Sequence, residues 1–104
     1  MINQPISEQY RLAALEWVDL DSAARLLEDT KSAVLATYMK NFGDIPVAHA
    51  ERDVKASSGW KQYIESLNAA RTAANYAKIQ VEYLRMKHAE QQSLEASKRA
   101  EMRL

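Results

Sequence analysis

Few residues in this 104-residue chain have the type and spacing that chemistry needs. His49 and Asp53 are four residues apart, so on a helix they would share one face and offer two ligands to a metal, with Glu51 pointing elsewhere. Two ligands are too few for a site, and a surface pair is the better interpretation. Asp19 and Asp21 lack the central glycine and distal ligands of a calcium loop, which favours helix N-capping. We therefore expect no metal and no other cofactor.

Nucleophilic and phosphate-binding chemistry have no local support in the sequence. Gly43 and Gly59 are isolated, which excludes a glycine-rich phosphate loop, and the absence of cysteine excludes thiol chemistry and disulfides. No Ser-His-acid grouping is recognisable. His88 continues the helical spacing of a series of apolar residues. This position indicates a half-buried, hydrogen-bonded histidine, with a pH-sensitive helix contact as the alternative. The sequence thus predicts a protein that is not an enzyme.

A row of basic residues is the remaining group whose chemistry could support a function. Arg71, Lys78 and Arg85 recur on one helical face and could contact phosphates, but Glu82 interrupts them. Such faces are usually solvated surface, so nucleic acid is a partner that we consider but do not favour. The candidate nucleic-acid contacts are Arg71, Lys78, Arg85, Lys98, Arg99 and Arg103.

These residues are positioned by a long segment that dominates the chain. Trp60 to Arg103 contains neither glycine nor proline and predicts one α-helix on the order of 66 Å long. An apolar seam at alternating spacings of three and four runs along it and predicts coiled-coil-like packing. The seam has ten positions, of which the first eight are apolar: Trp60, Tyr63, Leu67, Ala70, Ala74, Ala77, Val81, Leu84, His88 and Gln91.

A second apolar stripe faces almost the opposite way on the same helix. Its principal residues are Tyr76, Ile79, Tyr83 and Met86, which trail the seam by two positions, about 200° around the helix. Two opposed stripes require neighbours on both sides, either two segments of this chain that straddle the long helix or one segment and a second copy; the second N-terminal helix alone can line only half of the long helix on one side. We therefore predict a homo-oligomer, with a dimer favoured, whose interface is this stripe.

Composition predicts an all-α fold, because two Gly and two Pro in a chain with 47% hydrophobic residues leave little turn material for a sheet. We expect one domain over residues 1–104, with two shorter N-terminal helices packed on the long C-terminal helix as a hairpin or bundle. A disordered lead is predicted for 1–6, N-terminal helices for 7–41, a turn for 42–46 and a C-terminal helical arm for 47–103. Asp19 and Asp21 predict a break between the N-terminal helices, and Gly43 a left-handed helix cap.

Charge and hydropathy limit the partners further. The formal net charge is zero, yet residues 1–46 carry four basic and seven acidic side chains, and residues 47–104 carry ten and seven. Opposite charges on the two segments favour folding one on the other or orienting an assembly. No apolar run approaches the ~18 residues of a membrane span, and the N-terminus has no signal-peptide pattern. We expect no membrane partner.

The C-terminal part of the chain resembles a known group of proteins. Glu82-Tyr83-Leu84-Arg85-Met86 and Arg99-Ala100-Glu101-Met102-Arg103-Leu104 are its most distinctive pieces, and the resemblance covers roughly residues 60–104. The group consists of small, mostly uncharacterised helical proteins encoded by temperate bacteriophages and prophages. The resemblance implies a phage or prophage origin and the bacterial cytoplasm, and it brings no catalytic residue. A weaker one, at Ser58-Gly59-Trp60, is to secreted helical hairpins with a Trp-any-Gly turn, whose order is reversed here.

Two functions remain open at this stage. The first is a non-enzymatic helical interaction protein that self-associates and presents its C-terminal segment to an unidentified protein partner. The second is a nucleic-acid-binding accessory factor of recombination or replication. It is implied by the resemblance, because such small phage genes often lie beside genes for recombination or replication.

Overall fold

A computed structural model describes residues 4–103 of the chain, and four α-helices make up most of them. The helices are α1 (Ile6–Asp29), α2 (Lys31–Lys40), α3 (Val47–Lys55) and α4 (Ser58–Met102). The predicted all-α class, with shorter N-terminal helices packed on a long C-terminal one, is confirmed. The predicted disordered lead lies partly outside the described residues, at 1–3, and Ile6 already belongs to α1. Within residues 4–103, no helix is long and apolar enough to cross a membrane.

The helix α4 sets the shape of the molecule. Its 45 residues correspond to about 68 Å. Ser57 caps its start, because the hydroxyl oxygen accepts a hydrogen bond from the backbone N–H of Trp60 at 3.2 Å. The molecule measures 83 × 25 × 17 Å with a radius of gyration of 23.1 Å, against about 13 Å for a compact domain of this size. The other helices therefore flank only parts of α4.

The helix α1 runs antiparallel to α4 and packs along its middle. Near the end of α1, the carbonyl oxygen of Leu27 accepts a hydrogen bond from the hydroxyl of Tyr63. At the start of α1, Ser7 and Tyr10 lie beside Arg85 and His88. The face of α1 that meets α4 is rich in alanine, and Ala24 is fully buried. Alanines on both helices allow close approach of the two backbones, which keeps this contact narrow and tight. On the α4 side the buried seam residues are Trp60, Ala74, Val81 and Leu84.

The predicted break at Asp19 and Asp21 is wrong, because α1 is continuous from Ile6 to Asp29. The carboxylate of Asp21 pairs with Arg25 and Arg71 instead of capping a helix. The chain breaks at Thr30, whose hydroxyl donates to the carbonyl oxygen of Leu26 at 2.7 Å. Hydroxyl bonds of this kind compete with the helical ladder and bend helices.

The helices α2 and α3 form a small head around the start of α4. Gly43 has φ +71°, the left-handed conformation predicted for it, and lies in the connection between α2 and α3. Ala50 and Val54, four residues apart on α3, are buried. Trp60 is buried in the same region against the rings of Tyr38 and Tyr63.

Some residues expected on inner faces are exposed. On α1, Tyr10, Ala13, Ala14 and Trp17 are partly buried, whereas Val18 and Ala23, which lie at the two edges of the packed face, are exposed. His88 is exposed too, because α1 begins level with it and supplies no further cover. Leu67 is half-buried rather than fully buried.

Candidate interaction surface

Arg71 joins the two long helices at the centre of the molecule. Its guanidinium donates to both carboxylate oxygens of Glu28, with Nε–Oε2 at 2.8 Å and Nη2–Oε1 at 2.7 Å. A third bond runs from Nη1 to Oδ1 of Asp21 at 2.8 Å. A bidentate pair between a planar guanidinium and a carboxylate fixes the relative orientation of the two side chains as well as pairing their charges. The cluster therefore sets the register between α1 and α4.

The electrostatic consequences follow from these bonds. Hydrogen bonds from Arg71 lower the pKa of Asp21 and of Glu28, and the two carboxylates raise the pKa of Arg71. Arg71 belongs to the basic row that was considered as a possible nucleic-acid contact. Its donors are instead directed at two carboxylates of its own chain, so it is not displayed for a phosphate.

We expect the contribution of the Arg71 cluster to folding stability to be lost at acid pH. Folded-state pKa values of Asp21 and Glu28 lie below their unfolded values, so their contribution is complete above the unfolded values and is lost as pH falls through the folded ones. Arg71→Gln should lower the unfolding temperature at pH 7, and its deficit should shrink below about pH 4.5. Circular dichroism melts between pH 3 and pH 7 measure this.

Arg11→Gln is the matched control, because the ion pair of Arg11 with Glu8 lies within one exposed turn of α1 and does not join two helices. It should change the unfolding temperature less than Arg71→Gln. A deficit for Arg71→Gln that stays constant from pH 3 to pH 7 would contradict the role of the two carboxylates.

The predicted interface residues lie together on the side of α4 away from α1. Tyr76, Ile79, Tyr83 and Met86, here called the outer stripe, are between 50% and 70% exposed. They follow one another at spacings of three and four residues, which places all four on one helical face. None of α1, α2 and α3 covers this face of α4 within the described part of the chain.

A second exposed apolar surface was missed by sequence reasoning. Leu12, Leu15, Val18 and Leu26, here called the α1 stripe, are between 43% and 65% exposed. They lie roughly opposite the face of α1 that packs on α4. The spacing of three between the first three residues was the available signal.

The remaining predicted residues do not form a compact site. Lys78 and Arg85 are exposed on the middle of α4, while Lys98, Arg99 and Arg103 are exposed near its end. Arg85 and Arg99 are about 21 Å apart along the axis. Among residues 4–103, no group of three or more His, Asp or Glu side chains is arranged to hold a metal.

Comparisons of the chain with protein-family models, with curated proteins and with solved structures found no match. Its function is therefore inferred from the surfaces described above.

Proposed function

We propose that the protein is a non-enzymatic helical interaction protein that self-associates through the outer stripe and binds a protein partner. The exposure of the four large side chains of that stripe carries the proposal. An apolar surface of this kind, with an area on the order of a few hundred Å², is seldom left exposed without a binding role. A second copy covers it most simply, since a two-fold contact uses the same surface on both chains.

The α1 stripe is the surface for a different protein. It lies on the opposite edge of the helix pair, so a dimer through the outer stripe leaves it free. The helix α1 carries six acidic and two basic side chains. Exposed carboxylates of Glu16, Asp19 and Asp29 lie on or beside the face of the stripe, and the exposed Arg11 and Arg25 lie at one edge of it. A partner helix with an apolar face and basic flanks complements this surface.

Origin and location are part of the same proposal. A phage or prophage source and the bacterial cytoplasm are supported by the resemblance at residues 82–86 and 99–104. A nucleic-acid function is supported less well, since Arg71 is engaged by Asp21 and Glu28.

Self-association is tested by the mass in solution. Light scattering at micromolar concentration should give the parent twice the chain mass of 11.8 kDa. Ile79→Glu with Tyr83→Glu should return the mass of a single chain, because burying unpaired carboxylates weakens association by roughly a hundred-fold. A parent mass of one chain would end the proposal.

Leu12→Glu with Leu15→Glu is the matched control, because it places the same two charges on the α1 stripe. This variant should keep the parent mass. If it dissociates while the outer-stripe variant does not, the self-association surface lies on α1.

A further inference from the structure

The outer stripe has a spacing that reads the same in both directions. Tyr76, Ile79, Tyr83 and Met86 are separated by three, four and three residues, so the stripe is symmetric about position 81. We infer that α4 pairs with α4 of a second copy in antiparallel orientation, about a two-fold axis level with Val81. This inference rests on the proposed self-association and adds its direction and extent.

Antiparallel pairing places residues that are equally far from Val81 opposite each other. Tyr76 then meets Met86 of the second copy, and Ile79 meets Tyr83. Every large apolar side chain of the stripe obtains an apolar neighbour. A parallel pair would also join apolar residues, each to its own equivalent, so the apolar contacts alone do not fix the direction.

Charged residues beyond the stripe decide between the two directions. At ~100° per residue, Lys61, Glu65, Thr72, Glu90 and Glu101 project within about 20° of the centre of the outer stripe. All five are exposed. They extend the face of the stripe by four turns or more towards both ends of α4, and they would lie inside a contact that follows the whole helix.

Opposite charges meet only when the helices are antiparallel. Lys61 and Glu101 are both twenty residues from Val81, so each faces the other across the pair. Glu65 is level with Ser97 of the second copy and adjacent to Lys98. In a parallel pair Lys61 would face Lys61, Glu65 would face Glu65 and Glu101 would face Glu101. Like charges held together across an interface disfavour that arrangement.

The antiparallel pair also accounts for the free end of α4. The start of α1 lies beside Arg85 and His88, so residues 89–102, here called the tail, extend about 21 Å beyond it. All tail residues are exposed. Paired about Val81, the tail of each copy lies along residues 60–73 of the other, on the exposed side of α4. The tail thus completes the interface with the second copy.

Single cysteines test the direction, because the native chain has none. Thr72 and Glu90 are both nine residues from Val81 and both exposed. Thr72→Cys protein labelled with ¹⁵N is mixed with unlabelled Glu90→Cys protein and oxidised gently. Each chain carries one thiol, so mass spectrometry of the disulfide-linked pair identifies which positions met. A disulfide needs the two Cα atoms to lie within about 7 Å.

The expected product is the mixed disulfide that joins a Thr72→Cys chain to a Glu90→Cys chain. Equivalent positions are about 27 Å apart in the antiparallel pair, so disulfides between two copies of the same variant should be rare. Dominant products of that second kind would overturn the inference and leave self-association through the outer stripe in place. A dimeric mass without site-selective cross-links would place the interface elsewhere, and a monomeric parent would refute both proposals.

Charge reversal supplies an independent readout of the same contact. Lys61→Glu should weaken dimerisation several-fold, because the new carboxylate faces Glu101 of the second copy, and each pair occurs twice. Adding Glu101→Lys should restore the parent affinity. Arg99→Glu, with the same change of charge on the opposite side of the tail, should have little effect. Failure of Glu101→Lys to rescue Lys61→Glu would contradict the antiparallel register.

Discussion

Replacing Trp60 with alanine is expected to lower the free energy of unfolding by about 3 to 5 kcal/mol. Trp60 is 6% exposed. Its ring meets Tyr38 of α2 edge-on at a centroid distance of 6.5 Å, and it stacks on Tyr63 of α4 at 5.4 Å. Alanine would remove both aromatic contacts and leave a cavity between α2 and α4 that neighbouring side chains fill only partly. The head of the molecule should lose its order first.

Denaturant unfolding followed by far-ultraviolet circular dichroism measures this loss without relying on tryptophan fluorescence. Trp60→Phe should recover part of the stability, since a smaller ring still fills most of the site. Phe42→Ala is the control, because it truncates an aromatic residue that is exposed in the connection before Gly43. A loss below about 1 kcal/mol for Trp60→Ala would show that the head contributes little to stability.

Local sequence determined the parts of this fold that were predicted well. Glycine and proline are absent between Trp60 and Arg103, and the apolar seam has helical spacing, so the long helix and its buried side followed from propensity and periodicity. Gly43 likewise supplied the left-handed conformation that its connection uses. These features depend on residues close together in the chain.

The features that were missed depend on residues far apart in the chain. Asp21 has the chemistry of a helix cap, but its carboxylate pairs with Arg25 one turn later and with Arg71 fifty residues later, and α1 is continuous. No local pattern predicts the bond to Arg71. The same pairing engages Arg71, one of the six candidate nucleic-acid contacts, within its own chain.

The choice of packing face on α1 shows a second limit. Hydrophobicity alone favours burying leucines, yet Leu12, Leu15 and Leu26 are exposed and Ala24 is fully buried. The alanine-rich faces of α1 and α4 allow the closest approach of the two helices, and Arg71 holds that register. Tight packing of small residues thereby leaves large apolar residues outside, where they are free to bind other chains.

Leu84→Ala should cost about 2 to 5 kcal/mol of unfolding free energy, the usual range for truncating a packed leucine. Leu84 is the last large residue of the buried seam and is only 3% exposed, close to where the start of α1 meets α4. A cavity there would loosen α1 from its N-terminal end. Leu67→Ala should cost less, because Leu67 is half-buried.

Leu26→Ala is the matched control for Leu84→Ala, since it makes the same truncation at an exposed position within a helix. It should change stability by no more than about 0.5 kcal/mol. All three variants are compared by denaturant unfolding at one protein concentration, because the proposed self-association would add to apparent stability by mass action. Equal losses for Leu84→Ala and Leu26→Ala would mean that the seam at Leu84 is no better packed than the α1 stripe, and the antiparallel contact of α1 with α4 would have to be redrawn.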